Sequence, residues 1–285
     1  MMTTPPDLFD IDLLARRRAR LPAPETFLHR EAAARVSERL IEVNRSFSAP
    51  AVIGWQAPVW AEELAGNPRL SGAPALVEDT EVLALERGAQ DLVVHGLGLH
   101  WSRDPVGTLI QMRLGLKPDG LMLAVSFGGQ TLHELRAALA EAEVERAGGL
   151  SPRVAPMAEI RDLGALLQRA GFAMPVADTE RLTVTYASPL NLMRELRAMG
   201  EGNVMRQRRR VPLRRDVLLR ACEIYQARWA GADGRVPATF DLVFLTGWAP
   251  SADQPVPKRP GSAVARLADA LGTAERSAGQ KAGED

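Results

Sequence analysis

The chain has one cysteine among 285 residues, which rules out an intramolecular disulfide and any cysteine-based metal site. That residue, Cys222, sits in the helical stretch LLRACEIY and is expected as a buried core thiol. Four histidines (29, 95, 100 and 133) show no ligand spacing, so no metal site is expected. Lysine is nearly missing: 3 against 32 arginines, a bias of a codon-skewed bacterial genome rather than of an activity. Acidic and basic residues balance at 35 each, so no global field draws in nucleic acid or an anionic membrane. No apolar run reaches the roughly 18 residues that cross a bilayer, and an integral membrane protein is not expected. The start, MMTTPPDLFDIDLL, has acids and no basic region before an apolar stretch, the pattern of neither a signal nor a transit peptide. A cytoplasmic location is the expectation. A G-x-S-x-G nucleophile turn is also missing.

What is present reads as an ordinary globular chain, 46% hydrophobic and 25% charged. Helix is predicted over about 7–43, with Phe27, Ala34, Leu40 and Ile41 at helical spacing. Strands then alternate with helices: APAVIGW, VWAEELAG, APALVED, DLVVHGLGLHW, DPVGTLIQMRLG, GLMLAVSF, and the helix LHELRAALAEAEVERA stopped by two glycines. That order predicts an α/β fold with a parallel sheet. Two strands come late, RLTVTY (181–186) and TFDLVFLTGW (239–248), separated by a helical stretch. The expected organisation is a helical segment over 1–47, an α/β core over 48–186, a helical insertion over 187–238, the last core strand over 239–249 and a flexible tail over 250–285.

Glycine is scarce where such a fold would use it. The turn after the first strand of a parallel sheet often carries the cofactor on several glycines, yet SAPAVIGWQAP (48–58) offers only Gly54, followed by Trp55, Gln56 and Pro58.

The stretch from Asp91 to Glu143, with its strand-plus-His-Trp pattern DLVVHGLGLHW and its LKPDG turn, resembles the C-terminal half of a class I S-adenosylmethionine (SAM)-dependent methyltransferase. More narrowly it resembles the subgroup of the mitochondrial complex I assembly factor described as an arginine hydroxylase, whose relatives include the malonyl-carrier-protein methyltransferases of biotin synthesis. The narrower likeness rests on FGGQTLHELR, AEAEVERAGGLSP, RDLGALLQRAGF and the run from MREL through MGEGN to GRVPATFDLVFLTGW. It covers roughly residues 10–249, is specific from Asp91 onward and is poor between Ala49 and Gln90.

The resemblance implies a Rossmann-like sheet of seven strands whose last runs antiparallel, with the insertion between the last two strands. It also implies SAM as cofactor, held by three devices. The first is a glycine turn preceded by an acid; here an apolar residue precedes Gly54, and Trp55 and Pro58 crowd the turn. The second is an acid at the end of strand two for the ribose. Only 25 residue steps separate Gly54 from Asp79, and with about 10–12 residues per crossover one N-terminal strand is expected to be missing. The third, an acid and an apolar residue after strand three, falls on Asp79 and Leu83.

By the same likeness His100 and Trp101 are candidate catalytic residues at the cleft, and Phe127, Gly128, Gly129 and Gln130 a substrate-side turn into a helix with free amides. The implied functions are methyl transfer by a protein with an eroded cofactor site acting in complex I (NADH dehydrogenase) assembly, hydroxylation of an arginine on one of its subunits, or a non-catalytic assembly chaperone. The partner is a protein, an NADH dehydrogenase subunit by resemblance. Six arginines in RQRRRVPLRR (206–215) fit an acidic partner, a phosphate, RNA or a solvated helix face; the zero net charge argues against nucleic acid.

Overall fold

The computed structural model describes residues 7–254 and Gly272; from residue 255 on, and Gly272 apart, the tail expected over 250–285 lies outside the described residues. Two helices come first, α1 (Ile11–Arg18) and α2 (Phe27–Glu42). Asp10 caps α1 by accepting from Leu13 N at 3.1 Å. The core then runs β1 (Pro50–Ile53), α3 (Ala57–Leu64), β2 (Ala75–Val77) and β3 (Gln90–Gly96). It continues through α4 (Pro105–Gly115), β4 (Leu116–Gly128), α5 (His133–Ala147), α6 (Ile160–Arg169) and β5 (Ala173–Tyr186). After α7 (Pro189–Ala198) and α8 (Arg215–Trp229) the last strand is β6 (Val236–Trp248).

The sheet order is β2-β1-β3-β4-β6-β5. β1 pairs parallel with β2 and β3, β3 parallel with β4, and β6 antiparallel with both β4 and β5. β2 pairs directly with β1, so the sheet closes over the missing strand without a gap. Six strands and an antiparallel late pair agree with the α/β fold expected, including the insertion, which supplies α7 and α8 between β5 and β6.

Alternation along the central strands divides side chains between two cores. Val52, Val94 and Leu123 face one side with Leu28, Val36 and Leu40 of α2, Trp60 of α3 and Leu135 of α5. Ile53, Val93 and Ala124 face the other, against Leu109 and Met112 of α4 and Leu163 and Leu167 of α6. Asp91, where β3 begins, ties down the approach to β1: its carboxylate accepts from Ser48 N and Oγ, both at 2.8 Å, and from Ala49 N at 2.9 Å.

Three local expectations change. The buried face of α2 is Leu28, His29, Ala32, Ala33, Val36 and Leu40, and Ala34 and Ile41 lie on the opposite, exposed face. Cys222 is half-buried rather than a core thiol. β5 begins at Ala173, eight residues ahead of RLTVTY, since pairing with β6 carries it through the polar run 178–181.

Candidate functional site

Ligands of doubly wound sheets enter at the carboxyl ends of the strands, and here that edge is crowded with side chains. Gly54 follows β1 with φ +154°, and its amide donates to Val77 O at 3.2 Å. A Cβ at Gly54 would stand 3.0 Å from the Gly96 carbonyl, so the turn runs flush against the end of β3. Gly96 in turn makes room for Trp60: a Cβ there would overlap the indole, which is fully buried. Trp60 Nε1–H donates to His29 Nδ1 at 3.0 Å. Burial, the largest influence on His29, pushes its pKa down to about 4, which keeps the imidazole neutral at pH 7 and able to accept that bond.

Trp55 lies over the same edge. The Arg18 guanidinium of α1 stacks on its ring at 4.6 Å, and a Cβ at Gly200 would come within 2.8 Å of it. Arg18 is buried and pairs with Glu201 at 2.8 Å. Glu201 is the hub of the arrangement: Trp101 Nε1 donates to its Oε2 at 2.9 Å, and His100 Nε2 lies 3.2 Å from the same atom. Burial raises the pKa of Glu201, but the hydrogen bond and charge of His100 and the charge of Arg18 outweigh it and bring it to about 2.

A second acid–imidazole pair stands beside the first. Asp79, just past β2, reaches across the end of β1 to His95 Nε2 at 3.3 Å, and its carboxylate fills the space a side chain on Gly98 would need. Burial disfavours its charge, yet the charge and hydrogen bond of His95 prevail and hold its carboxyl below the usual range. The Nδ1 atoms of His95 and His100 are buried without a hydrogen-bond partner among the described residues. No group of three or more acidic, histidine or cysteine side chains among the described residues is placed to hold a metal.

The edge is roofed by the N-terminal segment and the insertion together. Asp10 N donates to Val204 O at 2.9 Å, Phe9 bridges to Met205, and the Phe9 ring meets Trp101 edge-on at 4.9 Å. Two cavities remain beneath this roof. One of 400 Å³ is lined by Asp79, Thr80, Glu81, Gly98 and Arg103 on the β2 side of Trp101. The other, of 300 Å³, is walled by Phe127, Leu135, Met157, Met193 and Phe240 and has Glu201 in its lining.

Of the residues singled out in the sequence, Gly54, Asp79, His100 and Trp101 share this edge, and Phe127 lines the second cavity. Leu83 is instead a core residue, packed with Val77, Leu99 and Leu109. Gly128 and Gly129 lie against Val243 and Asp241 of β6, and the amides of Gln130 and Leu132 are taken by Asp241 Oδ2 and Thr239 O, both at 2.8 Å. The turn is thus closed on the sheet, and its amides are not free for an anion. Sequence reasoning passed over Glu201, Arg18, Trp60 and His29. The signal for Glu201 was an acid flanked by two glycines in MGEGN; for Arg18, buried inside an arginine-rich helix, the sequence carries none.

No protein-family model matches the chain. It is 36% identical over 262 residues to the arginine-hydroxylase NDUFAF5, mitochondrial, of Danio rerio, a match spanning 85% of this chain and 81% of that protein. It is 35% identical over 181 residues to the malonyl-[acyl-carrier protein] O-methyltransferase of Halorhodospira halophila, covering 64% and 59% of the two chains. Among solved structures it is similar to a Bacillus halodurans methyltransferase, at 13% identity and a TM-score of 0.47, over 76% of this chain and 99% of the other. The expectation of a cytoplasmic location is contradicted by the first group of relatives, which are named as mitochondrial proteins. With 36% of 262 aligned residues identical to the zebrafish protein, over 85% of this chain and 81% of that protein, this chain belongs to the family of the arginine-hydroxylase NDUFAF5.

Proposed function

We propose that this protein acts on a protein partner in the assembly of respiratory NADH dehydrogenase, using a methyltransferase scaffold whose turn after β1 is covered by its own side chains. The observation that supports this reading is the cluster Trp55–Arg18–Glu201, laid over the turn after β1 and joined to both roof elements. The residues present do not fit the methionine half of SAM. Ile53 stands where an acid would orient the ligand's amino group, the Gly54 amide is bonded to β2, and Trp60 and Asp79 take up the space beside Gly96 and Gly98.

The partner-facing side is better supplied. Trp101, held in place by Glu201, lines the 300 Å³ cavity together with Phe127, and His100 packs against the Phe127 ring; we assign partner binding to this wall. The Glu201 carboxylate at Nε2 fixes the orientation of the His100 ring.

A second reading, hydroxylation of an arginine on the partner, is favoured by the name and the 36% identity of the zebrafish relative. Deleting the gene separates the two. Both readings predict that intact NADH dehydrogenase is depleted on native gels and restored by the wild-type gene. Loss of an arginine hydroxylation from a subunit, read by mass spectrometry, supports the second reading; an unchanged subunit supports the first. A normal level of intact NADH dehydrogenase in the deletion strain refutes both.

A further inference from the structure

Seven arginines from separate parts of the chain line one cavity of 760 Å³ that the site above does not use. Arg17 comes from α1 and Arg20 from just beyond it. Arg153 comes from the segment between α5 and α6, and Arg197 from the last turn of α7. Arg208, Arg209 and Arg210 come from the segment that leads into α8. A solvated helix face would draw its charges from one element; here the fold gathers them from four regions, and no acidic residue lines the cavity.

Little among the described residues compensates this charge. Arg153 is paired with Glu143 at 2.5 Å, and Arg208 lies 3.4 Å from Asp10. Arg17 donates only to the carbonyl of Asn203, at 2.7 Å. Arg20, Arg197, Arg209 and Arg210 make no ion pair with the described residues. Five guanidiniums therefore face one space without a carboxylate. The crowding is felt at Arg17, whose pKa burial and then Arg208 and Arg197 push down. Like charges gathered this way raise the energy of the empty protein, and an anion that enters relieves it.

Position and lining narrow the class of anion. Arg153, Arg197, Gly202 and Asn203 belong both to this cavity and to the 300 Å³ apolar cavity beside Trp101 and Phe127. A ligand seated among the arginines thus has an apolar pocket as its continuation. Leu13, Leu21, Val211 and Pro212 add apolar surface, and no aromatic ring lines the arginine cavity. Single-stranded nucleic acid is bound on aromatic stacking platforms, which this cavity does not offer. Planar guanidiniums grip carboxylates and phosphates alike two bonds at a time, and the adjoining apolar pocket favours the carboxylates of a peptide that also carries an apolar side chain.

We propose that the arginine cavity is the docking site for an acidic segment of the protein partner, carrying several Asp or Glu carboxylates and an apolar side chain that enters the adjoining pocket. This rests on the reading of a protein partner given above and adds the chemistry by which that partner is recognised.

The test uses the full-length protein and fluorescence anisotropy with a labelled twelve-residue peptide of alternating Glu, Asp and Leu, at low and at physiological ionic strength. The expected result is saturable binding that weakens with salt. Arg209→Glu and Arg210→Glu, both at exposed positions whose reversal leaves the core intact, weaken it at least fivefold each, whereas Arg169→Glu on α6 leaves it unchanged. No binding at low salt, or equal binding by the Arg209 and Arg210 variants, overturns the proposal. Tighter binding of tripolyphosphate or of a twelve-nucleotide RNA, with displacement of the peptide, also overturns it and makes the cavity a phosphate site. Each of these results leaves the deletion experiment free to support or refute the role in assembly.

Discussion

Replacing Glu201 by Gln is the perturbation that the structure prices most clearly. The carboxylate sits between Arg18 at 2.8 Å and Trp101 Nε1 at 2.9 Å, with His100 at 3.2 Å, and the Arg18 and Glu201 side chains are only 9% and 10% exposed. Removing the charge leaves a buried guanidinium with no counter-ion, which costs about 3–5 kcal/mol. For a folded region of some 250 residues that is a fall in melting temperature of roughly 10 °C. Urea unfolding followed by circular dichroism gives the free energy, and Trp101 emission reports whether the roof has opened. Removing both charges with Arg18→Met and Glu201→Gln, which keeps an acceptor for Trp101 Nε1, should return most of the loss, since the unpaired buried guanidinium is gone. A loss below about 1 kcal/mol in Glu201→Gln, or a double variant no better than the single, would show that this pair does not hold the roof on the sheet.

Acid should destabilise the protein in two stages. The folded pKa of His29 is about 4, below its ordinary 6.5, so its contribution is complete above pH 6.5 and is lost as pH falls toward 4. Glu201, at about 2 against an ordinary 4.5, loses its contribution between pH 4.5 and 2. Each stage removes on the order of 3 kcal/mol; urea midpoints measured against pH should show the first stage vanish in His29→Phe. Gly96→Ala drives a methyl into the Trp60 indole and should cost about 1–3 kcal/mol, with a shift in tryptophan emission; an unchanged melting curve would mean that the ring lies elsewhere. Gly200→Ala meets both a φ of +74° and the Trp55 ring, so it should destabilise more than Gly234→Ala, whose φ is also +74° but whose side-chain space is open; equal losses in thermal melts would remove Trp55 from the roof.

The sheet was legible wherever a strand carried its own apolar run. DLVVHG and LMLAVSF are buried on both faces and need no partner to be recognised as strands. The first half of β5 was not legible, because Asp178, Glu180 and Arg181 lie on an exposed edge strand and only pairing with β6 makes that segment extended. The missing strand could be counted from the short span behind Gly54, whereas the direct pairing of β2 with β1 could not. At the site, Trp55 stood out because an indole is out of place in a cofactor turn. Its partners did not, since Arg18 and Glu201 are 183 residues apart and read locally as a polar helix and a polar turn. His95 is fully buried in β3, and the carboxylate that meets it, Asp79, comes from the loop after β2. Sequence spacing thus gave the elements, and the long-range pairs that close the edge came only with the fold.

The account turns on whether the edge beyond Gly54 accepts SAM. Calorimetric titration of the full-length protein with SAM, alongside a thermal melt at 1 mM ligand, tests it directly. The prediction is no saturable heat and an unchanged melting temperature. A dissociation constant below about 100 μM, with a stabilisation of about 1.4 kcal/mol or more at that ligand concentration, would contradict it and return the protein to the methyltransferases by activity as well as by fold.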